Sequence, residues 1–325
     1  MFEVFEKRPP ILIEAEKARF KPGFAIQVLI FIAVFIITNL AQSIFLTIYG
    51  AVWSTIKTIK GELAFDDDKA LAEAIDKIQE HLLLPTLFTF GIITLLVIVY
   101  CRYIERRSMY SMGFVRENAF KDYIRGLFTG FVMFASAVLL AFVSGGLRYN
   151  GFVTGEQFAL LIGFLVGFMI QGMAEEVLVR GYFMVSVANR SSVLFAVLSS
   201  SIVFAILHIF NSGISLTAML NLVLFGVFTA VYMLKMNSIW GICAIHSMWN
   251  FAQGNIFGIS VSGARPTVSV FSFELKPGAE LINGGSFGLE GGLAVTVVLA
   301  LSLVFIINAK GREVAEKSHK SGSYR

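Results

Sequence analysis

Two adjacent carboxylates and an arginine, Glu175, Glu176 and Arg180, interrupt an apolar run that reaches from about Phe158 to Val187. A charged side chain at the centre of a bilayer costs roughly 2.5–3.5 kcal/mol even on lenient insertion scales. Three such groups within a dozen residues exceed what packing needs, so Glu175 is expected to be the catalytic carboxylate of an intramembrane enzyme. The other polar groups expected at membrane depth are His208, His246 and Asn250. His81 and His319 fall at a run's edge and in the C-terminal tail. No aspartate lies in an apolar run, which argues against a two-aspartate protease, and no H-E-x-x-H zinc helix exists. Gly284-Gly285-Ser286-Phe287-Gly288 fits G-x-S-x-G, but its glycine-rich loop lacks the strand-to-helix context of a nucleophile elbow.

Helical phase separates the roles. Glu175 and Glu176 point about 100° apart, so they cannot do the same job. Glu176 and Arg180 stand at i and i+4 and are expected to pair as structural support. Glu175 is then free to face a cavity, with Gly172 one turn earlier leaving room beside it. Phe204 shares a face with His208, and His246 with Asn250. At 1.5 Å per residue, Glu175 lies roughly 21 Å and His208 roughly 26 Å from the Asn189-Arg190 turn, and His246 and Asn250 lie roughly 16 and 22 Å from the Lys235 turn. Residues far apart in sequence therefore converge on one layer, as a site requires.

Eight apolar runs must hold these groups. They cover about 24–49, 82–100, 126–143, 157–188, 193–210, 216–234, 239–257 and 292–307. The third opens on Gly126-x-x-x-Gly130, which permits close helix contact. The chain is 56% hydrophobic and 15% charged, against about 25% charged in soluble domains. The expected fold is an all-α polytopic membrane protein with about eight transmembrane helices, one membrane domain over 1–325 with its core at about 124–257. A polar stretch at 66–80 is expected to form a separate short amphipathic helix, residues 1–22 to lie on the membrane surface, and 258–291 to be a Gly/Ser-rich loop.

The net charge of +4 records basic loops rather than nucleic-acid binding. The N-terminus, the 102–125 loop, the Arg190 and Lys235 turns and the tail fall on one side of an eight-span topology, and all are basic. Both termini are therefore expected in the cytoplasm, and the protein in the plasma membrane. Cys101 and Cys243 lie in apolar runs and form neither a disulfide framework nor a C-x-x-C pair. Cys243 reads as a small buried hydrophobe.

The chain resembles the CPBP (Abi) group of CAAX proteases and bacteriocin-processing enzymes, which includes the Ras-converting CAAX endoprotease. The family pattern E-E-x-x-x-R, F-x-x-x-H and H-x-x-x-N or H-x-x-x-D stands here as Glu175-Glu176-x-x-x-Arg180, Phe204-x-x-x-His208 and His246-x-x-x-Asn250. The resemblance implies an endopeptidase with a water-filled cavity open to the cytoplasm, acting on a membrane-associated protein or peptide that is prenylated in CAAX-type cleavage. It implies Glu175 as general base on a water also held by His208, with His246 and Asn250 stabilising the oxyanion. The family has been called metalloproteases. Zinc would use Glu175, His208 and His246, but a water activated without metal explains the same residues, and no cofactor is expected to be required. Two other readings stand beside this one. A proton-coupled transporter would use the same buried groups, but the chain shows no repeated half. A proteolytically silent scaffold of the same family would keep the fold without the chemistry.

Overall fold

A computed structural model describes residue 6 and residues 8–153, 158–265 and 267–312. Gln157, His319 and the tail cations beyond Arg312 lie outside the described residues. The elements follow the apolar runs. α1 is Pro10–Ala15, α2 Phe24–Ile59, α3 Asp68–Val99 and α4 Ala119–Val143. α5 begins as Phe158–Glu176, continues as a π-helix over Val177–Met184 and closes with Val185–Ala188. α6 is Val193–Ile206, α7 Leu216–Met236, α8 Trp240–Phe251 with a π-turn at Ala252–Ile256, α9 Glu280–Asn283 and α10 Leu293–Asn308. Five of these helical stretches are long and apolar enough to cross a membrane, and α6 and α10 are shorter apolar helices. The protein is an all-α, polytopic, integral membrane protein.

α8 occupies the middle because small residues let two neighbours approach its backbone. A Cβ on Gly126 would strike the Gly241 carbonyl, and one on Gly130 the Ile245 carbonyl. On the other flank, a Cβ on Gly172 of α5 would lie 2.6 Å from Ser247 Oγ. The room expected beside Gly172 is therefore filled by α8 itself. Without a hydrophobic force between helices in lipid, such close packing is what binds them. Trp249 and Phe134 then meet edge to face at 5.1 Å between the ring centroids.

Two expectations about helix limits need correction. The 66–80 stretch is not a separate helix: it is the first part of α3, capped by Asp67, whose side chain accepts from the Ala70 N–H at 2.7 Å. At 1.5 Å per residue, α2 and α3 run about 54 and 48 Å, beyond the ~30 Å hydrocarbon core, so their polar ends project into water. α6 errs the other way. It ends at Ile206, about 21 Å long, and His208 lies in the turn that follows rather than in a helix.

The loops are also more ordered than expected. β1, Leu147–Phe152, pairs antiparallel with β2, Phe271–Leu275, out of the Gly/Ser-rich loop. Arg148 bonds Glu274 across this ribbon and holds its carboxyl below the usual range. The N-terminal segment does not simply lie on lipid. Ile11, Leu12 and Ala15 are buried, Ile11 N–H donates to Asn237 Oδ1 at 3.0 Å, and Arg8 donates to the Ala188 and Ser191 carbonyls.

The glycine contacts carry a prediction. Gly130→Leu forces α4 off α8 and is expected to cost at least the ~1–3 kcal/mol of an overpacked core. Gly23, with nothing within 4 Å of its Cβ position, is the control. Thermal unfolding in detergent should show a lowered midpoint for Gly130→Leu and little change for Gly23→Ala.

Candidate active site

The contact between Gly172 and Ser247 explains the site. It brings α5 and α8 to backbone distance one turn before the carboxylates and one residue after His246. Glu176 Oε1 accepts from His246 Nδ1 at 2.9 Å and from Arg180 Nη1 at 3.3 Å. The expected pair of Glu176 and Arg180 is present, and His246 joins it as a third member that helical spacing did not announce. Arg180 is fully buried, with its guanidinium 4.5 Å from the Phe204 ring centroid and beside Gly226 of α7. Phe204 stands 4.8 Å from the His208 ring and 5.9 Å from the His246 ring, so it separates the two imidazoles with one apolar plate.

Hydrogen bonding fixes one nitrogen of each histidine. A carboxylate only accepts, so His246 Nδ1 carries a proton toward Glu176. His208 Nδ1 lies 2.8 Å from the Phe204 carbonyl, which also only accepts. In the neutral ring His208 Nε2 is therefore an acceptor. His246 Nε2 turns to Glu175, 3.6 Å from Oε2. That distance is beyond a hydrogen bond and within electrostatic reach.

Glu175 is positioned by a residue that sequence reasoning passed over. Gln171 Nε2 donates to Glu175 Oε1 at 2.6 Å, and Gln171 Oε1 accepts from Asn250 Nδ2 at 2.9 Å. One carboxamide thus ties the carboxylate of α5 to the asparagine of α8. Its signal was a polar residue at i−4 from Glu175 in an apolar helix. Glu175 Oε2 is buried and accepts no hydrogen bond from the protein.

Glu175, His208, His246 and Asn250 all line one cavity of about 610 Å³. Non-helical backbone at membrane depth is tolerated where it borders protein or water, and the turn holding His208 meets that condition. Among the described residues, no three His, Cys, Asp or Glu side chains gather closely enough to hold a metal ion. The set Glu175, His208 and His246 therefore does not fit a zinc centre in this arrangement. Cys243 is buried outside the cavity lining, and Ser286 sits in a 3₁₀ turn of an outer loop.

The cavity lining also includes Asn211, Ser212, Val261–Ala264 and Glu290. Those residues share a face with the β-ribbon, as the contacts of Gly213 with Ser286 and of Asn283 with the Gly146 carbonyl show. The N-terminal segment, the 105–116 turn, the Asn237 turn and the start of the tail cluster at the other face.

The buried charge group generates a prediction. Glu176→Gln strands the Arg180 charge, and losing one partner of a buried pair costs about 3–5 kcal/mol. The double variant Glu176→Gln with Arg180→Met is expected to cost less than Glu176→Gln alone. Unfolding midpoints of the two proteins in detergent decide this.

Comparison with known proteins fits this geometry. Residues 157–252 match the family model of the Rce1-like type II CAAX prenyl endopeptidases, a stretch that contains all three motifs. No curated protein and no solved structure matches the chain significantly. From α5 to α8 this integral membrane protein is thus similar to the Rce1-like type II CAAX prenyl endopeptidases.

Proposed function

We propose that the protein is an intramembrane endopeptidase that hydrolyses a peptide bond of a membrane-associated substrate, with Glu175 as general base. The observation that carries this is the free Oε2 of Glu175, 3.6 Å from His246 Nε2 in a cavity that His208 and Asn250 also line. Gln171 occupies Oε1, which leaves Oε2 for water. The water donates one hydrogen to Oε2 and the other to His208 Nε2, so its lone pair is directed at the scissile carbonyl.

As the water oxygen bonds to the carbonyl carbon, Glu175 takes its proton and negative charge develops on the carbonyl oxygen. His246 Nε2–H and the second hydrogen of Asn250 Nδ2 donate to that oxygen. Donors fixed in advance in a dry site are worth far more than in water. A donor at Nε2 requires His246 in its doubly protonated form. Arg180 and that imidazolium then balance the two carboxylates, which a low-dielectric site demands. Glu175 finally passes its proton to the leaving nitrogen as the C–N bond breaks, and the second proton of the water passes to His208 Nε2 and on to solvent, giving an amine and a carboxylate. The role of Gln171 is to hold Glu175 and Asn250 in register.

No step uses a metal, and we propose that no cofactor is required. Activity is expected to persist after prolonged dialysis against a strong chelator. Loss on chelation with recovery on adding zinc would reject that view.

The site residues are tested by peptide proteomics of membranes from cells carrying the protein or its variants. Glu175→Gln is expected to abolish the fragments that the protein generates, a general base contributing about 10²–10⁴-fold. His208→Ala should reduce them comparably, and Asn250→Ala by about 10²–10³-fold as for a lost oxyanion donor. Gln171→Leu removes one charge-assisted hydrogen bond, worth about 1.5–3 kcal/mol, and should slow turnover by about ten- to a hundredfold. Unchanged fragments in Glu175→Gln membranes, with the protein at normal abundance, would sink the enzyme reading.

A further inference from the structure

The cavity is lined by a further carboxylate that the chemistry above does not use. Glu290 faces it together with Glu175, from a 3₁₀ turn over Leu289–Gly291, and is 9% exposed. Asn221 of α7 holds that turn by donating to the Glu290 and Gly292 carbonyls at 2.7 and 3.0 Å. The side chain meets only donors. Trp249 Nε1 donates to Oε1 at 3.2 Å, and Gln253 Nε2 to Oε2 at 3.3 Å. Ser262 gives Oε2 both its N–H and its hydroxyl, each at 3.0 Å. Ser262 does so from a positive φ of 48°, uncommon for a residue other than glycine. All four donors are neutral, and among the described residues Glu290 belongs to no ion pair.

The charges around the cavity therefore do not balance. Glu175 and Glu176 are matched by Arg180 and a protonated His246, and Glu290 is left over. A buried charge without a counter-charge is costly, and a bound peptide can supply one. The neighbouring amides add acceptors and no further donors. Asn255, which lines the same cavity, spends its Nδ2 on the Val268 carbonyl, and its buried Oδ1 accepts from no protein donor. Gln253 Oε1 is buried and likewise without a donor. Ammonium and guanidinium groups donate only, so they fit this set. We infer that Glu290 is a specificity-determining residue, which takes the charged end of a Lys or Arg side chain of the substrate close to the scissile bond. This rests on the endopeptidase reading. The spacing follows from α8. Trp249 and Gln253 stand three and seven residues beyond His246, about 4.5 and 10 Å along the axis. An extended peptide rises about 3.3 Å per residue, which puts the basic residue within about three residues of the bond that is cut.

The cleavage sites that disappear in Glu175→Gln membranes are expected to be enriched in Lys or Arg within about three residues of the cut. A quenched fluorescent peptide built on one such site, made once with Lys and once with norleucine at that position, then tests the full chain in detergent. The wild type should favour the Lys peptide in kcat/KM by about ten- to a hundredfold, as for a hydrogen-bonded charge. Glu290→Gln should bring that ratio close to one. The ratio does not depend on how much of the variant folds. A purely structural Glu290 lowers both rates together, and an unchanged ratio overturns the proposal. Cleavage sites without basic enrichment also overturn it and leave the endopeptidase reading intact. N-acetylarginine amide serves as the probe for binding alone. At millimolar concentration it should raise the unfolding midpoint of the wild type and of Glu175→Gln, but not that of Glu290→Gln. This pattern without any Glu175-dependent fragment upholds the subsite and rejects the protease reading, whereas no shift in the wild type overturns the subsite.

Discussion

The buried carboxylate of Glu176 is the interaction on which the rest of the site depends. It accepts from a guanidinium on its own helix and from an imidazole on α8. In a medium of low dielectric an unpaired charge is far costlier than in water. Each partner therefore fixes the other two, and α5, α8 and, through the plate of Phe204, α6 are tied at one height. The neighbouring Glu175 is left with a different task because the two side chains leave the helix in different directions. The π-helix that starts at Val177 lies immediately beyond them. π-Bulges inside helices are often found at functional sites, and this one follows directly on the two carboxylates.

Electrostatics alone would not bring these groups together. α4, α8 and α5 stack because glycines at 126, 130 and 172 remove the side chains that would keep the backbones apart. In lipid, such contact replaces the hydrophobic force that assembles soluble helices. The consequence is a site assembled from three helices and one turn, whose precision comes from backbone packing rather than from loops. Gln171 extends this arrangement by linking Glu175 to the helix that supplies Asn250.

Length matching between helix and bilayer shapes the cavity. α6, at 14 residues, is short against the ~30 Å hydrocarbon core, and the turn that follows it brings His208 to the cavity. α2 and α3 are too long and rise beyond that core. The difference opens a hollow toward one face and leaves the other sealed by the N-terminal segment, the Asn237 turn and the Lys235 contacts to α10. The two faces differ in charge as well as in shape.

The sequence by itself determined the eight apolar helical stretches, the ion pair at i and i+4, and four of the polar residues that line the cavity, Glu175, His208, His246 and Asn250. Each of these follows from local rules: apolar length, helical period and the cost of charge in lipid. Gly126 and Gly130 were legible as a contact face for the same reason. The β-ribbon was not read, although Leu147–Phe152 and Phe271–Leu275 are short enough and aromatic enough to be strands, because their pairing joins segments more than a hundred residues apart. The bond of His246 to Glu176, the bridging by Gln171 and the filling of the space beside Gly172 by Ser247 were also beyond local rules. Only tertiary packing sets the rotation and height of one helix against another, and a shift of a single residue would have turned each of these side chains elsewhere.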